Sequence, residues 1–293
     1  MLSRVLICGA GGQVGQALTL CIPQGMSVVA RQRAELDITN PDAIAATLDE
    51  HKFCGLINAA AYTAVDQAES DVAAAKAVNS VAPGLLASAC AARGIRMLHL
   101  STDFVFDGRA GRPYRPDDAA HPLGVYGASK LAGERAVLDS GANALVLRTG
   151  WVYSRPGRNF VTTLLRLLAE RQQLSVVEDQ IGTPTWARGL ADTCWALLAK
   201  PEAVGVFHWS DAGACSWYDF ACAIRAQGLR HGLLTSAATL IPIPAAHYPT
   251  PAQRPGFSVL DKSTTRAVIG HSGVHWQDNL DAMLSEWASL DKE

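Results

Sequence analysis

The sequence has no surplus of positive charge. It contains 25 Lys and Arg residues against 27 Asp and Glu residues in a chain of 293 residues, which gives a formal net charge of −2. Proteins that bind nucleic acid carry clustered basic residues as their electrostatic signature. No run of Lys or Arg is present, so we expect no nucleic-acid partner.

Paired cysteines, metal-binding motifs and long apolar runs are also missing. The seven cysteines are scattered without a Cys-x-x-Cys pair, and no two of the eight histidines have metal-ligand spacing on a convincing helix. A disulfide framework and a metal site are therefore not expected. No apolar run approaches the length of a membrane span, and the N-terminus leaves no room for a signal peptide. We expect a cytoplasmic protein without a membrane partner.

Alternating strands and helices organise residues 1–150. Apolar runs typical of buried parallel strands lie at 5–8, 27–30, 55–58, 95–100 and 144–148. Helical patterns separate them at 13–22, at 41–51 with Asn40 as the cap, from about 71, from about 80, and around Tyr126. Short connections and right-handed crossovers predict an α/β, doubly wound parallel sheet of the Rossmann type.

The pattern changes after residue 150. Pro, Trp and His become more common, and the strand–helix alternation is interrupted at 182–184 and 241–255. We predict that residues 1–150 form a dinucleotide-binding domain. Residues 151–293 are predicted to form mostly a smaller, substrate-binding lobe, with later segments that can return to the first domain.

A glycine-rich turn follows the first strand. Glycines between a strand and a helix expose backbone amides and the positive end of the helix to a pyrophosphate. The spacing Gly-x-x-Gly-x-x-Gly differs from the commonest dehydrogenase fingerprint, and a turn without a ligand is the alternative. The residues predicted to bind the cofactor here are Gly9, Gly11, Gly12, Gln13 and Val14.

The end of the second strand indicates which cofactor is used. Arg31 and Arg33 stand where NAD-dependent enzymes often place an acid, and arginines attract a ribose 2′-phosphate. We predict NADPH as the preferred cofactor and NADH as the alternative; the competing interpretation is that both arginines only solvate a loop. Further along the predicted cofactor path lie Asp37, Ile38, Ala59, Ala60 and Ala61.

Tyr126 and Lys130 are the candidate catalytic pair. Residues four apart share one helix face, and an ammonium group near a phenol lowers the pKa of the phenol. Such a tyrosine can give a proton to a carbonyl oxygen during reduction. Thr102 ends the fourth strand at the sheet edge where ligands bind and is predicted to orient the carbonyl, with Ser101 as the alternative. The neighbouring Asp103 and Phe104 are predicted to contact the substrate.

The chain resembles the extended short-chain dehydrogenase/reductase superfamily and, within it, the dTDP-4-dehydrorhamnose reductase family. The motifs that carry the resemblance are GAGGQVG at 9–15, NAAAYTAVD at 58–66 followed by Glu69, AVN at 77–79, STDFVFDG at 101–108, VYGASK at 125–130, RTGWVY at 148–153, NF at 159–160, DQIGTPT at 179–185 and YPTPAQRP at 248–255. The last four lie in the second half and distinguish this family from other members of the superfamily.

The resemblance implies roles for particular residues. Thr102, Tyr126 and Lys130 match the catalytic triad, Asn79 and Lys130 extend the cofactor path, and Trp151 borders the deoxysugar. Arg254 falls where the substrate lobe closes over the nucleotide sugar, although a surface pair with an acid is the alternative. The magnesium reported for the family is not carried over, because no carboxylate cluster supports it.

The implied activity is reduction of the 4-keto group of dTDP-6-deoxy-L-lyxo-4-hexulose to give dTDP-L-rhamnose. The expected partner is a nucleotide sugar, and the expected state is a monomer or homodimer. Two other functions stay open: an epimerase or dehydratase that regenerates its cofactor, and a regulatory subunit without turnover. A dehydratase typically carries a second carboxylate after the strand-end Thr, where this chain has Phe104.

Overall fold

The computed structural model describes residues 3–155 and 157–290. The strands are β1 (Ser3–Cys8), β2 (Met26–Arg31), β3 (Gly55–Asn58), β4 (Arg96–Thr102), β5 (Ala144–Thr149), β6 (Val152–Tyr153), β7 (Gln173–Val177), β8 (Ile181–Gly182), β9 (Thr185–Trp186), β10 (Gly205–His208), β11 (Cys215–Ser216) and β12 (Thr239–Ile243). The α-helices are α1 (Gln13–Leu20), α2 (Pro41–Asp49), α3 (Val65–Ala68), α4 (Val72–Lys76), α5 (Ala82–Ala91), α6 (Val125–Leu138), α7 (Phe160–Glu170), α8 (Ala187–Leu198), α9 (Trp217–Arg230), α10 (Ser263–Ile269) and α11 (Trp276–Leu290).

A six-stranded parallel sheet forms the centre of the molecule, as predicted. Its strand order is β10-β5-β4-β3-β1-β2, and each neighbouring pair runs parallel. The chain runs from β1 to β2 on one side and then crosses back to β3 on the other side of β1. The carboxyl ends of β1 and β3 therefore flank the topological switch point, where doubly wound sheets bind ligands.

Both faces of the sheet are buried. Successive side chains of a strand point to opposite faces, and β1 supplies Val5 and Ile7 to one apolar core but Leu6 and Cys8 to the other. All four side chains are completely buried. Helices α1 and α8 cover the first face, whereas α2 and α5 cover the second. This two-sided burial explains why the strands are uniformly apolar in the sequence.

The second half of the chain contributes to two cores. Strand β10 pairs with β5 in the central sheet, and α8 packs against α1, so residues 187–208 belong to the sheet domain. The remaining elements have an apolar core of their own, in which Tyr153, Phe220 and Leu280 from β6, α9 and α11 are buried. The elements of this second core surround the end of the sheet at which the site lies.

One helix differs from the sequence prediction. The two helices expected from about residues 71 and 80 form one continuous helical stretch, in which a π-helical turn at Ala77–Val81 joins α4 to α5. This stretch, Val72–Ala91, is long and apolar enough by length and composition to cross a membrane, with a mean hydropathy of 1.2. Its inner face is buried against the sheet and α6, which is the packing of a core helix.

Candidate active site

The glycine-rich turn is a compact cradle between β1 and α1. Gly9 has a φ of +81°, and a Cβ at this position would lie 2.5 Å from the main-chain nitrogen of Ala60. Gly15 packs so closely on the Gly9 carbonyl that a Cβ would overlap it. The helix begins after Gly12 without a side-chain cap. Its first N–H groups are therefore available to a phosphate.

Gln13 links this turn to the C-terminal half of the chain. Its side-chain oxygen accepts hydrogen bonds from Ser154 Oγ at 2.9 Å and from Asn159 Nδ2 at 2.8 Å. Gln13 also lines a cavity of about 240 Å³ beside Trp151, Arg158 and other residues. The following Val14 packs against the apolar core, so only its main chain is available to a cofactor.

The structure changes the interpretation of Arg31. Its guanidinium forms an ion pair with Glu50 at 2.6 Å, so a 2′-phosphate has to compete with this carboxylate. Its carbonyl accepts the N–H groups of Gly9 and Ala10 at 3.0 and 3.1 Å. Arg31 thus fixes the turn through its main chain as well as placing a cation beside it.

Two residues predicted to line the cofactor path have buried side chains instead. Asn79 is fully buried, and its amide bonds to the main chain of Tyr62 at 2.8 and 3.0 Å and to Ser129 Oγ at 3.2 Å. Ile38 lies in the apolar core behind the sheet. Both side chains are therefore occupied within the fold, and contact of these two residues with the cofactor stays a prediction for their main chain.

The other residues of the predicted path lie nearer the surface. Asp37 is exposed, and hydrogen bonds from Thr39 hold the pKa of its carboxyl below its ordinary value. Ala59, Ala60 and Ala61 follow β3 at the switch point and are partly buried. Gly11 lies beside the Gln32 side chain. These positions remain consistent with a cofactor that crosses the end of the sheet.

Thr102 and Tyr126 meet at the carboxyl edge of the sheet. Thr102 ends β4, donates a hydrogen bond to Asp103 Oδ1 at 3.1 Å and accepts one from the Phe104 N–H at 3.2 Å. Burial raises the pKa of Tyr126 to about 12; the Asp103 carboxylate adds to the rise, and a hydrogen bond with Thr102 opposes it. Phe104 packs edge-on against the phenol ring, with centroids 5.6 Å apart.

Lys130 does not act on Tyr126 as the sequence predicted. Its Nζ is buried and donates to the carbonyl of Leu100 at 2.7 Å, with His99 Nε2 3.5 Å away. Burial lowers the pKa of Lys130 to about 8, although the Glu134 carboxylate raises it. Lys130 is not among the groups that shift the pKa of Tyr126. The expected lowering of the phenol pKa is therefore wrong for this geometry, because burial dominates both groups.

A buried ionic network lies behind the catalytic pair and was missed in the sequence. Glu134 pairs with Arg148 through bonds of 2.9 and 2.7 Å, and both side chains are at most 5 % exposed. Ser101 Oγ donates to Glu134 at 2.5 Å. Ser101 is thereby occupied within the fold, which leaves Thr102 as the hydroxyl that faces Tyr126. The sequence did offer one signal for this network: Glu134 follows Lys130 by four residues, which places both side chains on the same face of the helix.

Asp103 is a buried carboxyl next to the catalytic hydroxyls. It is 2 % exposed, and burial raises its pKa to about 6 although hydrogen bonds from Ser258 and Thr102 lower it. A Cβ at Gly150 would lie 2.5 Å from Asp103 Oδ2, so the glycine makes room for the carboxyl. Asp103 thus accepts a hydrogen bond from Thr102, and its negative charge raises the pKa of Tyr126.

Two stacked tryptophan rings line two cavities of the candidate site. Trp151 has a φ of +51°, the only positive φ at a non-glycine residue of the described chain, and it stacks on Trp217 with centroids 3.5 Å apart. Both rings line the cavity of about 240 Å³ and a smaller one of about 40 Å³ beside Phe104. Trp217 was not singled out in the sequence; it is the first residue of α9, which begins at the Ser216 capping box.

Arg254 lies at the edge of the smaller cavity, but its guanidinium is already paired. It contacts the two carboxylate oxygens of Asp66 at 3.1 and 2.9 Å. The pairing with an acid, which was the alternative in the sequence, is the one observed. A substrate phosphate would therefore share Arg254 with Asp66.

The fold and the Thr102–Tyr126–Lys130 set place the chain among the nicotinamide-dependent short-chain dehydrogenases/reductases. A family model described as the RmlD substrate binding domain matches residues 3–289, and the chain belongs to this family. It is 42% identical over 284 residues to a dTDP-4-dehydrorhamnose reductase of Burkholderia thailandensis, covering 94% of this chain and 95% of that protein.

Solved structures are similar over the same length. A dTDP-4-dehydrorhamnose reductase from Bacillus anthracis in complex with NADP superposes with a TM-score of 0.91 at 32% identity, covering 98% of this chain and 100% of that one. A UDP-glucose 4-epimerase of Thermus thermophilus in complex with NAD superposes with a TM-score of 0.82 at 17% identity, covering 97% and 98%. The second likeness concerns the fold alone.

Proposed function

We propose that the protein is an NADPH-dependent reductase that converts dTDP-4-dehydro-L-rhamnose to dTDP-L-rhamnose. The observation that carries the proposal is the hydrogen-bonded Thr102–Tyr126 hydroxyl pair at the sheet edge, with Lys130 one helical turn further on. The relatives with full-length similarity are named for this reaction. The proposal includes a lobe formed mostly by residues 151–293 that binds the nucleotide sugar.

The cradle at Gly9 and the uncapped start of α1 fit a dinucleotide pyrophosphate, because no side chain among the described residues accepts a hydrogen bond from the first N–H groups of α1. Gln13 and the alanines after β3 would hold the rest of the cofactor. NADPH, when bound, supplies the hydride for the carbonyl carbon. The NADP complex of the relative supports this cofactor, with NADH as the alternative.

The chain's own part in the reaction is to supply a proton at the carbonyl oxygen. With a pKa of about 12, the Tyr126 phenol stays protonated at neutral pH and is available to the more basic alkoxide formed by reduction. Thr102 orients the oxygen by a second hydrogen bond, so that two hydroxyl groups stabilise the charge that develops there. The raised phenol pKa thus suits an acid rather than a base.

The cavity beside Trp151 and Trp217 would hold the sugar and the adjoining diphosphate. Stacked indoles offer an apolar wall to a deoxysugar, and Arg158 and Arg254 place cations on the rims of the two cavities. These groups complement a nucleotide sugar with an anionic diphosphate. A monomeric or homodimeric state and a cytoplasmic location stay predictions.

The test is consumption of NADPH in the presence of the ketosugar, followed by absorbance at the nicotinamide band. Tyr126→Phe should lower kcat by about 10²- to 10⁴-fold while cofactor binding is kept. Full activity of this variant would contradict the assignment. Consumption in step with product separates a reductase from an epimerase, which regenerates its cofactor, and absence of turnover would favour a regulatory subunit.

Arg31 gives a separate test of cofactor choice. Arg31→Ala removes the cation beside the turn and should raise the KM for NADPH more than the KM for NADH. A preference for NADH that this substitution leaves unchanged would contradict the NADPH assignment without touching the reaction itself.

A further inference from the structure

The helix that carries Tyr126 and Lys130 has no cap of its own. Helix α6 begins at Val125, and its N-cap residue is Gly124, which has no side chain to bond the first N–H groups. Unbonded N–H groups at a helix start cost stability unless another group accepts them. Tyr126 is the second residue of this helix, so its position depends on how the first turn is held.

A carboxylate from a distant part of the chain supplies the missing cap. Glu69 Oε1 accepts a hydrogen bond from the Val125 N–H at 2.8 Å. The two residues are 56 positions apart, and a negative charge at this end of a helix also interacts favourably with the helix dipole. Glu69 follows α3, in which Ala68 is fully buried, so the main chain beside Glu69 is anchored in the core.

Gly124 leaves open the space that the Glu69 carboxylate occupies. A Cβ on Gly124 would overlap Glu69 Oε1, so a larger residue would displace the cap. The backbone of Gly124 is extended, with a φ of −145°, which any residue adopts. The requirement for glycine is therefore space for Glu69 rather than backbone conformation.

The first turn of α6 also packs closely against the segment around Phe104, which directly follows β4. A Cβ on Gly127 would overlap the Phe104 carbonyl, and the Pro122 side chain is within 2.9 Å of the same position. Tyr126 thus lies between the Glu69 contact on one side and the Phe104 contact on the other. Loss of either contact would let the phenol move relative to Thr102.

We propose that Glu69 is a positioning residue of the reductase: its carboxylate caps the catalytic helix and sets the place of the Tyr126 phenol opposite Thr102. The proposal rests on the proposed reduction, in which Tyr126 delivers the proton. Glu69 touches neither substrate nor cofactor in this role. Its contribution should appear in kcat rather than in the KM of either ligand.

Steady-state kinetics of two substitutions test this role. Glu69→Ala should lower kcat by about ten- to a hundredfold, the scale of a small misplacement of a reacting group, with both KM values within about twofold of wild type. Glu69→Gln should restore most of kcat, because an amide oxygen also accepts the Val125 N–H. Glu170→Ala, which removes an exposed carboxylate paired with Arg166, is the matched control and should leave kcat unchanged.

Two further measurements test the cap, and the first of them does not depend on turnover. Amide hydrogen exchange in the peptide that begins at Val125 should be faster in Glu69→Ala than in wild type and nearly normal in Glu69→Gln. Gly124→Ala should reproduce the loss of kcat in the wild-type background but cost much less in the Glu69→Ala background, because the overlapping atom is gone. This non-additivity identifies the Glu69–Gly124 contact as the cause.

The proposal is overturned if Glu69→Ala keeps wild-type kcat and wild-type exchange in α6, or if Gln and Ala are equally defective. It is also overturned if the effects of Gly124→Ala and Glu69→Ala simply add. A wild-type protein that does not turn over the ketosugar overturns the proposed reaction instead, and the exchange experiment still decides the cap.

Discussion

At the scale of single residues, two neighbours in β4 have opposite roles. Alternation along the strand turns Ser101 toward the buried Glu134–Arg148 pair and Thr102 toward Tyr126. The sequence left the choice between these two hydroxyls open. The strand register, which is decided by burial of both sheet faces, pairs Ser101 with the buried Glu134 and places Thr102 beside the Tyr126 hydroxyl.

Substitution of the two hydroxyls should separate these roles. We expect Thr102→Val to lower kcat by at least about tenfold with little change in stability, because a donor to the reacting oxygen is lost. Ser101→Ala should keep kcat within about twofold but reduce the free energy of unfolding by about 1–3 kcal/mol, since Glu134 loses a buried donor. Kinetics and urea unfolding of both variants provide the measurements, and the reverse pattern would exclude Thr102 as the orienting group.

Asp103 should make stability depend on pH. Its pKa in the folded protein is about 6, above the value of 3.8 for the free group, so the folded state binds more protons between these two values. The stabilising contribution is complete below pH 3.8 and is lost as the pH rises through 6. Relative to Asp103→Asn, the wild-type protein should lose unfolding free energy between about pH 4 and 6.

Chemical denaturation across this pH range measures the difference between the two proteins. The comparison cancels the contributions of other buried acids such as Asp211, whose pKa is also raised by burial. Parallel stability curves for wild type and Asp103→Asn would show that the Asp103 carboxyl titrates normally.

At the scale of elements, α6 is positioned by close main-chain contacts. Gly133 packs on the carbonyl of Asn79 in the π-helical turn, and a Cβ there would overlap this oxygen. Asn79 in turn bonds to the Tyr62 main chain and to Ser129 of α6. The π-helical turn, invisible in the sequence pattern, therefore holds the catalytic helix against the loop that follows β3.

The contact at Gly133 gives a prediction for this interface. Gly133→Ala should destabilise the protein by about 1–3 kcal/mol, the cost of forcing extra volume into a packed site. Gly111→Ala is the matched control, because no atom lies within 4 Å of a Cβ at that position. Thermal unfolding of both variants tests the contact; equal melting temperatures would show that α6 moves freely to accept the methyl group.

At the scale of the whole molecule, the ion pair of Asp66 and Arg254 joins segments 188 residues apart. Asp66 also accepts the Ala252 N–H at 3.2 Å, so one carboxylate holds two points of the loop beside the smaller cavity. Hydrogen bonding to Arg254 lowers the pKa of Asp66. The ion pair thus connects helix α3, which carries Asp66, to the segment around Arg254 that is predicted to close over the substrate.

Loosening this loop should weaken binding of the nucleotide sugar more than binding of the cofactor. Asp66→Asn removes the charge, and partly exposed ion pairs contribute about 0.2–1 kcal/mol. The KM for the nucleotide sugar should therefore rise by about two- to fivefold, whereas the KM for NADPH should not change. Steady-state kinetics with each ligand varied in turn test this, and an increase confined to NADPH would mean that the loop serves the cofactor instead.

Much of the scaffold was predictable from the sequence by itself. The five strands of the first half, the Asn40 cap, the glycine turn and the placement of Tyr126 and Lys130 on one helix all follow from local spacing. These features depend on residues a few positions apart, for which backbone geometry fixes the outcome. The same information determined the doubly wound sheet, because strands and helices that alternate with short connections are compatible with few other topologies.

Only the tertiary structure decided which distant groups meet. It paired Arg31 with Glu50, Arg254 with Asp66, Glu134 with Arg148 and Lys130 with the Leu100 carbonyl, and it raised rather than lowered the pKa of Tyr126. Such contacts join segments far apart in the chain, and the pKa values depend on burial that spacing does not reveal. Local periodicity carries no information about these long-range partners, so the sequence predicted the candidate catalytic groups but not the surroundings that set their chemistry.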